Sequence, residues 1–180
     1  MRRLFDFLFP PRVDELALRD VSSDDFLALV TPRLIPETRP ETVALLPFND
    51  PSVRAAIHEA KYHGSEHAFR FLALALAEYL RDADDVGRTT SHTRLIPVPL
   101  GSGRRKERGF NQAEEVACRA LRSLGEGWGG AAVDTTLLVR TRETISQVSL
   151  PRRAREENMR GAFRATRRAD PSHTYIVIDD

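Results

Sequence analysis

Two adjacent carboxylates close the chain. Asp179 and Asp180 follow Tyr175-Ile176-Val177-Ile178, a four-residue apolar run that reads as a buried strand. Paired acids at a strand tip can accept hydrogen bonds from a cis diol or hold a divalent cation through water. As an isolated pair they can equally be a turn. A second group is Gly101-Ser102-Gly103-Arg104-Arg105-Lys106-Glu107-Arg108-Gly109, a basic stretch bounded by glycines that reads as a loop ahead of Asn111. Glycines let backbone N–H groups approach an anion, and a following helix N-terminus adds positive partial charge. Arg104, Arg105 and Arg108 add full charges, although a solvated basic loop has the same composition. The third group is the polar run from Arg140 to Arg155, with few large apolar residues. Such a segment inside a compact domain usually serves function, unless it is a plain surface excursion.

Other chemistry is poorly provided for. His58, His63 and His67 flank Gly64, but the spacing crosses that glycine and presents no common face, so surface histidines are expected and no metal site is assigned. Cys118 is the only cysteine, which excludes an internal disulfide and any site needing two thiolates; it reads as a small core residue. No Ser-His-Asp or Cys-His arrangement suggests itself. Trp128, in a Gly-rich turn, reads as a packing residue.

The elements that must position these groups follow from periodicity and punctuation. Residues 1–41 are broken by Pro10, Pro11, Pro32, Pro36 and Pro40 and read as an irregular appendage, with one short helix near 24–30 capped by Ser22 or Ser23. Thr42 to Phe48 reads as a strand. Asn49-Asp50-Pro51 starts a helix that Gly64 ends, and a second helix covers roughly Glu66–Arg81. Asp82 to Ser91 reads as a polar loop. Leu95 to Leu100 is a short strand whose prolines take it out of its ladder at the carboxyl end. Asn111 caps a helix to Leu124, Leu137-Leu138-Val139 is another strand, and a helical portion lies near Pro151–Met159. Ala162–Ala165 reads as extended, and the last strand is Tyr175–Ile178. Strands alternating with helices predict an α/β protein with a parallel sheet and right-handed crossovers. Ligands of such sheets sit at the carboxyl ends of the strands, where all three polar groups would converge.

The chain has 180 residues, 41% hydrophobic and 29% charged, which suits one soluble α/β domain with a short appendage. No long uncharged apolar run spans a membrane, and Asp6 and Pro10-Pro11 break the apolar start too early for a signal peptide, so a cytoplasmic location is expected. The net charge of +1 hides an asymmetry. Residues 101–168 carry 15 Lys/Arg against 8 Asp/Glu, a local +7, and the remainder carries 12 against 18, a local −6. Only Lys61 and Lys106 are lysines, and arginine suits bidentate recognition of phosphate.

In this order, IPVPL-GSGRRKERGFNQAEEVA, LVRTRETISQVSLPRRAREENMRGAF and YIVIDD resemble the ComF family of phosphoribosyltransferase-like proteins. NDPSVRAAIHEAKYHG also looks like the family's stretch before its first core strand, so the resemblance covers roughly residues 45–180. It implies a type I phosphoribosyltransferase fold, a parallel sheet flanked by helices, over residues 42–180. It implies that Arg104, Arg105 and Arg108, with Asn111 beside them, meet the pyrophosphate of phosphoribosyl pyrophosphate. Arg140 to Asn158 would be the loop that closes over the reacting centre, with Gln147, Arg152 or Arg153, Arg155 and Asn158 at its marked polar positions and Gln147, Arg152 and Arg155 as the catalytic candidates. Asp179 and Asp180 would hold the ribose hydroxyls, with Mg²⁺ neutralising the departing charge. Members are linked to competence, the uptake of external DNA.

The chain departs from that pattern twice. Residues 1–40 hold no cysteine, so the family's four-cysteine zinc element is absent and no zinc is expected. The family's signature continues past the acids into a Thr-Thr-Gly-like phosphate loop, which has no counterpart before the sequence stops. A domain truncated there is expected to be inactive alone and marginally stable. The reading from a different class is a non-enzymatic scaffold whose basic third contacts single-stranded DNA, a helicase or other competence proteins.

Overall fold

Side-chain caps from Ser22, Asp50 and Asn111 mark where three of the helices begin. In the structure, a computed structural model, residues 12–38, 41–85, 92–128, 130–144 and 151–180 are described. They fall into two compact units, Met1–Val86 and Gly87–Asp180.

The first unit is built from α1 (Val13–Arg19), α2 (Ser23–Leu27), β1 (Arg33–Ile35), β2 (Thr42–Ala44), α3 (Pro51–His63) and α4 (Glu66–Asp85). The Asp50 carboxylate accepts from the N–H groups of Ser52 and Val53 at 2.8 and 3.3 Å, Pro51 opens the first turn, and Gly64 at φ 60° closes α3 in the left-handed region. Ser22 caps α2 by accepting from the Asp25 N–H at 3.0 Å. The core is alanine-rich along α3 and α4, which lets the helices approach closely, and aromatics fill what remains. Phe26 and Phe71 are fully buried and stack with ring centroids 4.6 Å apart and planes within 6°. Arg12 grips the buried Glu59 with both ends of its fork, Nε to Oε1 at 2.8 Å and Nη2 to Oε2 at 2.6 Å.

The second unit holds β3 (Thr93–Pro97), α5 (Ser102–Arg108), α6 (Gln112–Leu124), a 3-10 turn (Glu126–Trp128), β4 (Ala132–Val133), β5 (Leu138–Arg140), α7 (Arg152–Met159), β6 (Phe163–Ala165) and β7 (Thr174–Ile178). The order β4-β3-β7 makes a three-stranded parallel sheet with β3 in the middle. Four of the five β3 residues are buried, as a central parallel strand requires. The helix α6 covers this sheet with Ala113, Ala117 and Ala120 buried. β5 and β6 form a separate antiparallel pair. Cys118, on α6, is half buried; burial first and then Glu114 push its thiol up, which leaves it a neutral packing group. Trp128 is buried, and no helix among the described residues is long and apolar enough to cross a membrane.

The chain is thus mixed α/β with a small parallel sheet, and several sequence expectations need correction. The 42–48 run does not join the parallel sheet: only Thr42–Ala44 is extended, and it pairs antiparallel with Arg33–Ile35. The 137–139 run also stays out, pairing with Phe163–Ala165. Neither Thr42–Ala44 nor Leu138–Arg140 has a buried residue, unlike the covered strand β3. The glycine-bounded basic stretch is helix rather than loop over Ser102–Arg108, because Arg, Lys and Glu are good helix formers and Gly109 at φ 79° ends it. Residues 13–19, expected to be irregular, form α1, and α4 runs on to Asp85. Ala132–Val133 went unseen because a two-residue strand has no periodicity to show.

Two outcomes test this account. Phe71→Ala should lower stability by about 3–5 kcal/mol in urea denaturation, and an unchanged midpoint would refute the stacked core. The Arg12 hydrogen bonds hold the Glu59 carboxyl below its ordinary value. A depressed carboxylate stabilises above its unfolded pKa of about 4.3 and loses that stabilisation as pH falls through its folded value. The melting-temperature gap between native protein and Arg12→Ala should therefore shrink steadily below about pH 4.3.

Candidate functional site

The register of β3 and β7 places Pro97 opposite Ile178, and the Val98 N–H continues the ladder by donating to the Ile178 carbonyl at 2.9 Å. The two strands therefore leave the sheet side by side. Asp179 and Asp180 emerge beside the Pro99-Leu100-Gly101 exit of β3.

The amino end of α6 meets these acids. Gln112, its first residue, is buried and donates from Nε2 to Asp180 Oδ2 at 2.7 Å. Its Oε1 accepts from Arg108 Nη1 at 3.0 Å, so Arg108, Gln112 and Asp180 form one chain of hydrogen bonds. Asn111 is buried and used at both ends. Its Oδ1 accepts from the Ala113 N–H at 3.1 Å, and its Nδ2 donates to the Val98 carbonyl at 3.0 Å. It thus caps α6 and ties that helix to the β3 exit. A cavity of about 150 Å³ lies there, lined by Pro97, Pro99 and Leu100 from the exit, Arg105 from α5, the cap Asn111, Glu114 from α6, and Thr135. Arg105 Nη1 and Glu114 Oε2 pair at 2.9 Å on its wall.

The 140–144 stretch also reaches the β3 exit. Arg140 lies over the Phe163 ring, 5.1 Å from its centroid, and donates to the Pro99 carbonyl at 3.3 Å and to Thr144 Oγ1. Burial first, then the charge of Arg104, holds its guanidinium below the ordinary arginine value, while Glu143 and Asp179 pull the other way. Arg104, Arg140, Glu143 and Asp179 therefore share one electrostatic neighbourhood. Glu143 Oε1 accepts from the Ser102 N–H at 2.6 Å and from Ser102 Oγ at 2.8 Å. Gly101 makes room for it: a Cβ there would come within 2.2 Å of Glu143 Oε2. The Ser102 hydrogen bonds hold the Glu143 carboxyl below its ordinary value.

The other expected residues are placed as follows. Arg155 is exposed on α7, as is Arg153, and α7 is secured by Arg142, whose Nη2 donates to the carbonyls of Asn158 and Arg160 at 2.9 and 2.8 Å. Arg152 opens α7, its side chain outside the described residues, and Gln147 lies outside them altogether. Sequence reasoning missed Gln112 and Glu143. The signal for Gln112 was a polar residue directly after a helix cap; for Glu143 there was none, since its partner Ser102 is distant in the chain. Together the carboxylates, guanidinium groups and amides can recognise a ligand that carries both hydroxyls and negative charge.

Known proteins resemble this chain over much of its length. DNA utilization protein YhgH of Salmonella typhi is 33% identical over 130 residues, 72% of this chain and 55% of the relative. The proteins of that name from Shigella flexneri and Escherichia coli (strain K12) are 33% and 32% identical over the same shares. The chain spans about half the length of the curated relatives it matches. No family model matches the chain. No solved structure matches it either. These findings overturn the assignment to the ComF phosphoribosyltransferases, since the relatives carry a different name and no family model supports that one. The physical reason is that each short motif has a local duty: RGFNQA holds a helix end and a helix cap, and VIDD a strand end. Motifs made of such common parts do not define a family by their order.

Gly101→Ala should expel the Glu143 carboxylate. In a carbon-detected NMR titration, the Glu143 pKa should rise toward the ordinary glutamate range in Gly101→Ala and in Ser102→Ala. An unchanged value in both would show that the Ser102 contact does not hold it.

Proposed function

We propose that the strand tips of β3 and β7 bind a phosphorylated pentose, phosphoribosyl pyrophosphate with Mg²⁺, in a protein that takes part in DNA utilization as its relatives' name says. One observation carries the reading: Asp179 and Asp180 follow the level ends of β3 and β7, where Asp180 meets Gln112 and the charges of Asp179 and Arg104 both act on Arg140. Carboxylates accept hydrogen bonds from a vicinal diol, and guanidinium groups balance phosphate charge. Gln112 holds Asp180 in one orientation, so its remaining lone pairs are aimed before a ligand arrives. Carboxylate oxygens are also the hard ligands Mg²⁺ prefers, and the ion would supply charge neutralisation of the pyrophosphate. In this reading Arg104, Arg105 and Arg108 meet phosphate from α5. Asn111 places α6 against the site, and Gln147, Arg152 and Arg155 are the proposed contacts at the reacting end. The reaction class such a donor serves is transfer of the pentosyl group to a nitrogen nucleophile with loss of pyrophosphate.

A second reading has its own observation. Arg153, Arg155, Arg160, Arg164 and Arg168 are all exposed in the stretch that carries the local +7. That surface suits the phosphates of single-stranded DNA.

Calorimetric titration with phosphoribosyl pyrophosphate and Mg²⁺ tests the first reading. Binding should weaken by roughly tenfold or more in Asp179→Asn and in Asp180→Asn, the loss of about one charged hydrogen bond. Absence of binding, or indifference to both substitutions, would remove it. For the second, affinity for a single-stranded oligonucleotide should fall steeply with salt, and the slope should drop by about 1 for each phosphate-contacting arginine replaced. A flat salt response would rule out direct DNA contact.

A further inference from the structure

A second set of metal-ligating side chains meets within the first unit. His58, Glu59 and His63 all lie on α3, and one donor atom of each falls within 4.8 Å of the other two. Helix geometry accounts for part of this. Glu59 and His63 are one turn apart on one face, with Nε2 of His63 4.0 Å from Glu59 Oε1. The His58 ring meets the His63 ring edge-on, centroids 5.7 Å apart. His67, the third member of the trio considered from sequence, is engaged elsewhere, its Nε2 3.1 Å from the Leu18 carbonyl oxygen. Glu59 takes its place.

A carboxylate stands beside one of these imidazoles. Asp14, from α1, has Oδ2 2.8 Å from His58 Nδ1. A carboxylate that accepts the Nδ1 proton orients the ring and leaves Nε2 to bind a cation, the arrangement metal-binding histidines use. Glu59 is buried to 1% exposure, and each of its oxygens accepts one N–H from Arg12 and keeps further lone-pair capacity. Asp14, Glu15 and Glu59 outnumber Arg12, so with neutral imidazoles the cluster is net negative and favours a dication. The Arg12 charge opposes the ion and limits its affinity. Two imidazoles and one carboxylate, with a fourth position open to water, are a zinc donor set.

We propose that His58, Glu59 and His63 form a Zn²⁺ site, oriented by Asp14, that braces α1 against α3. Tetrahedral zinc with bonds of about 2.0–2.1 Å sets its donors about 3.3 Å apart, so side-chain rotation draws the cluster inward on binding. The site uses no thiolate, so the absence of N-terminal cysteines does not bear on it. It shares no residue with the β3 and β7 tips.

Isothermal titration of the chelator-treated full chain with zinc chloride near neutral pH, with melting curves recorded with and without the ion, decides the matter. One Zn²⁺ per chain should bind and raise the melting temperature. His58→Ala and His63→Ala should each weaken binding by more than about tenfold, Asp14→Asn by roughly tenfold, and His92→Ala not at all. His58 also touches the Tyr62 ring, so His58→Asn with unchanged circular dichroism separates ligation from folding. No binding to the native protein would overturn the proposal. So would binding unaffected by His58→Asn and His63→Ala, or abolished by His92→Ala.

Discussion

Parallel pairing of β3 with β7 is the constraint on which the second unit depends. Five consecutive residue pairs, Thr93 with Thr174 through Pro97 with Ile178, bring the two strand ends level. A slip of one residue would separate Asp180 from Gln112. The register therefore sets the position of the acids. Asn111 adds a second lock by capping α6 while holding the Val98 carbonyl.

Several arginines of this unit are tied to carbonyls, a carboxylate or a ring. Arg142 holds carbonyls at the end of α7, Arg140 stacks on Phe163 and reaches Pro99, Arg94 donates to the Gly130 carbonyl at 2.8 Å, and Arg167 pairs with Asp134. A guanidinium carries five donors on a planar fork, so it can satisfy several carbonyls in a unit with few long strands to do so. Arg153, Arg155 and Arg164, exposed on α7 and β6, belong to the proposed nucleic-acid surface. Local net charge alone could not separate the two.

The first unit is organised by helix packing and one ion pair. Alanines along α3 and α4 permit close approach, Phe26 and Phe71 fill the remaining space, and Arg12 neutralises Glu59 where burial would otherwise oppose its charge. The same pair places a carboxylate beside two imidazoles, so one buried acid serves both packing and the proposed metal chemistry.

Local signals were legible in the residues. Asp50-Pro51 and Gly64 bounded α3, Asn111 and Gly125 bounded α6, and the apolar runs of β3 and β7 were read as strands ending at the polar groups, because caps and strand tips are written within a few positions of one another. The glycines of 101–109 suggest a loop but bound a helix, because the Arg, Lys and Glu between them favour helix. Only the tertiary structure decided the partners. β2 and β5 joined antiparallel pairs instead of the sheet, Gln112 met Asp180, Glu143 met Ser102, and Glu59 rather than His67 stood between His58 and His63. Pairing and burial depend on groups far apart in the chain, and residue type constrains those only through the packing of the whole unit. Where a capping residue or a helix-ending glycine stands, the residues alone mark the helix end, and they place the acids along the chain; long-range packing sets what faces them.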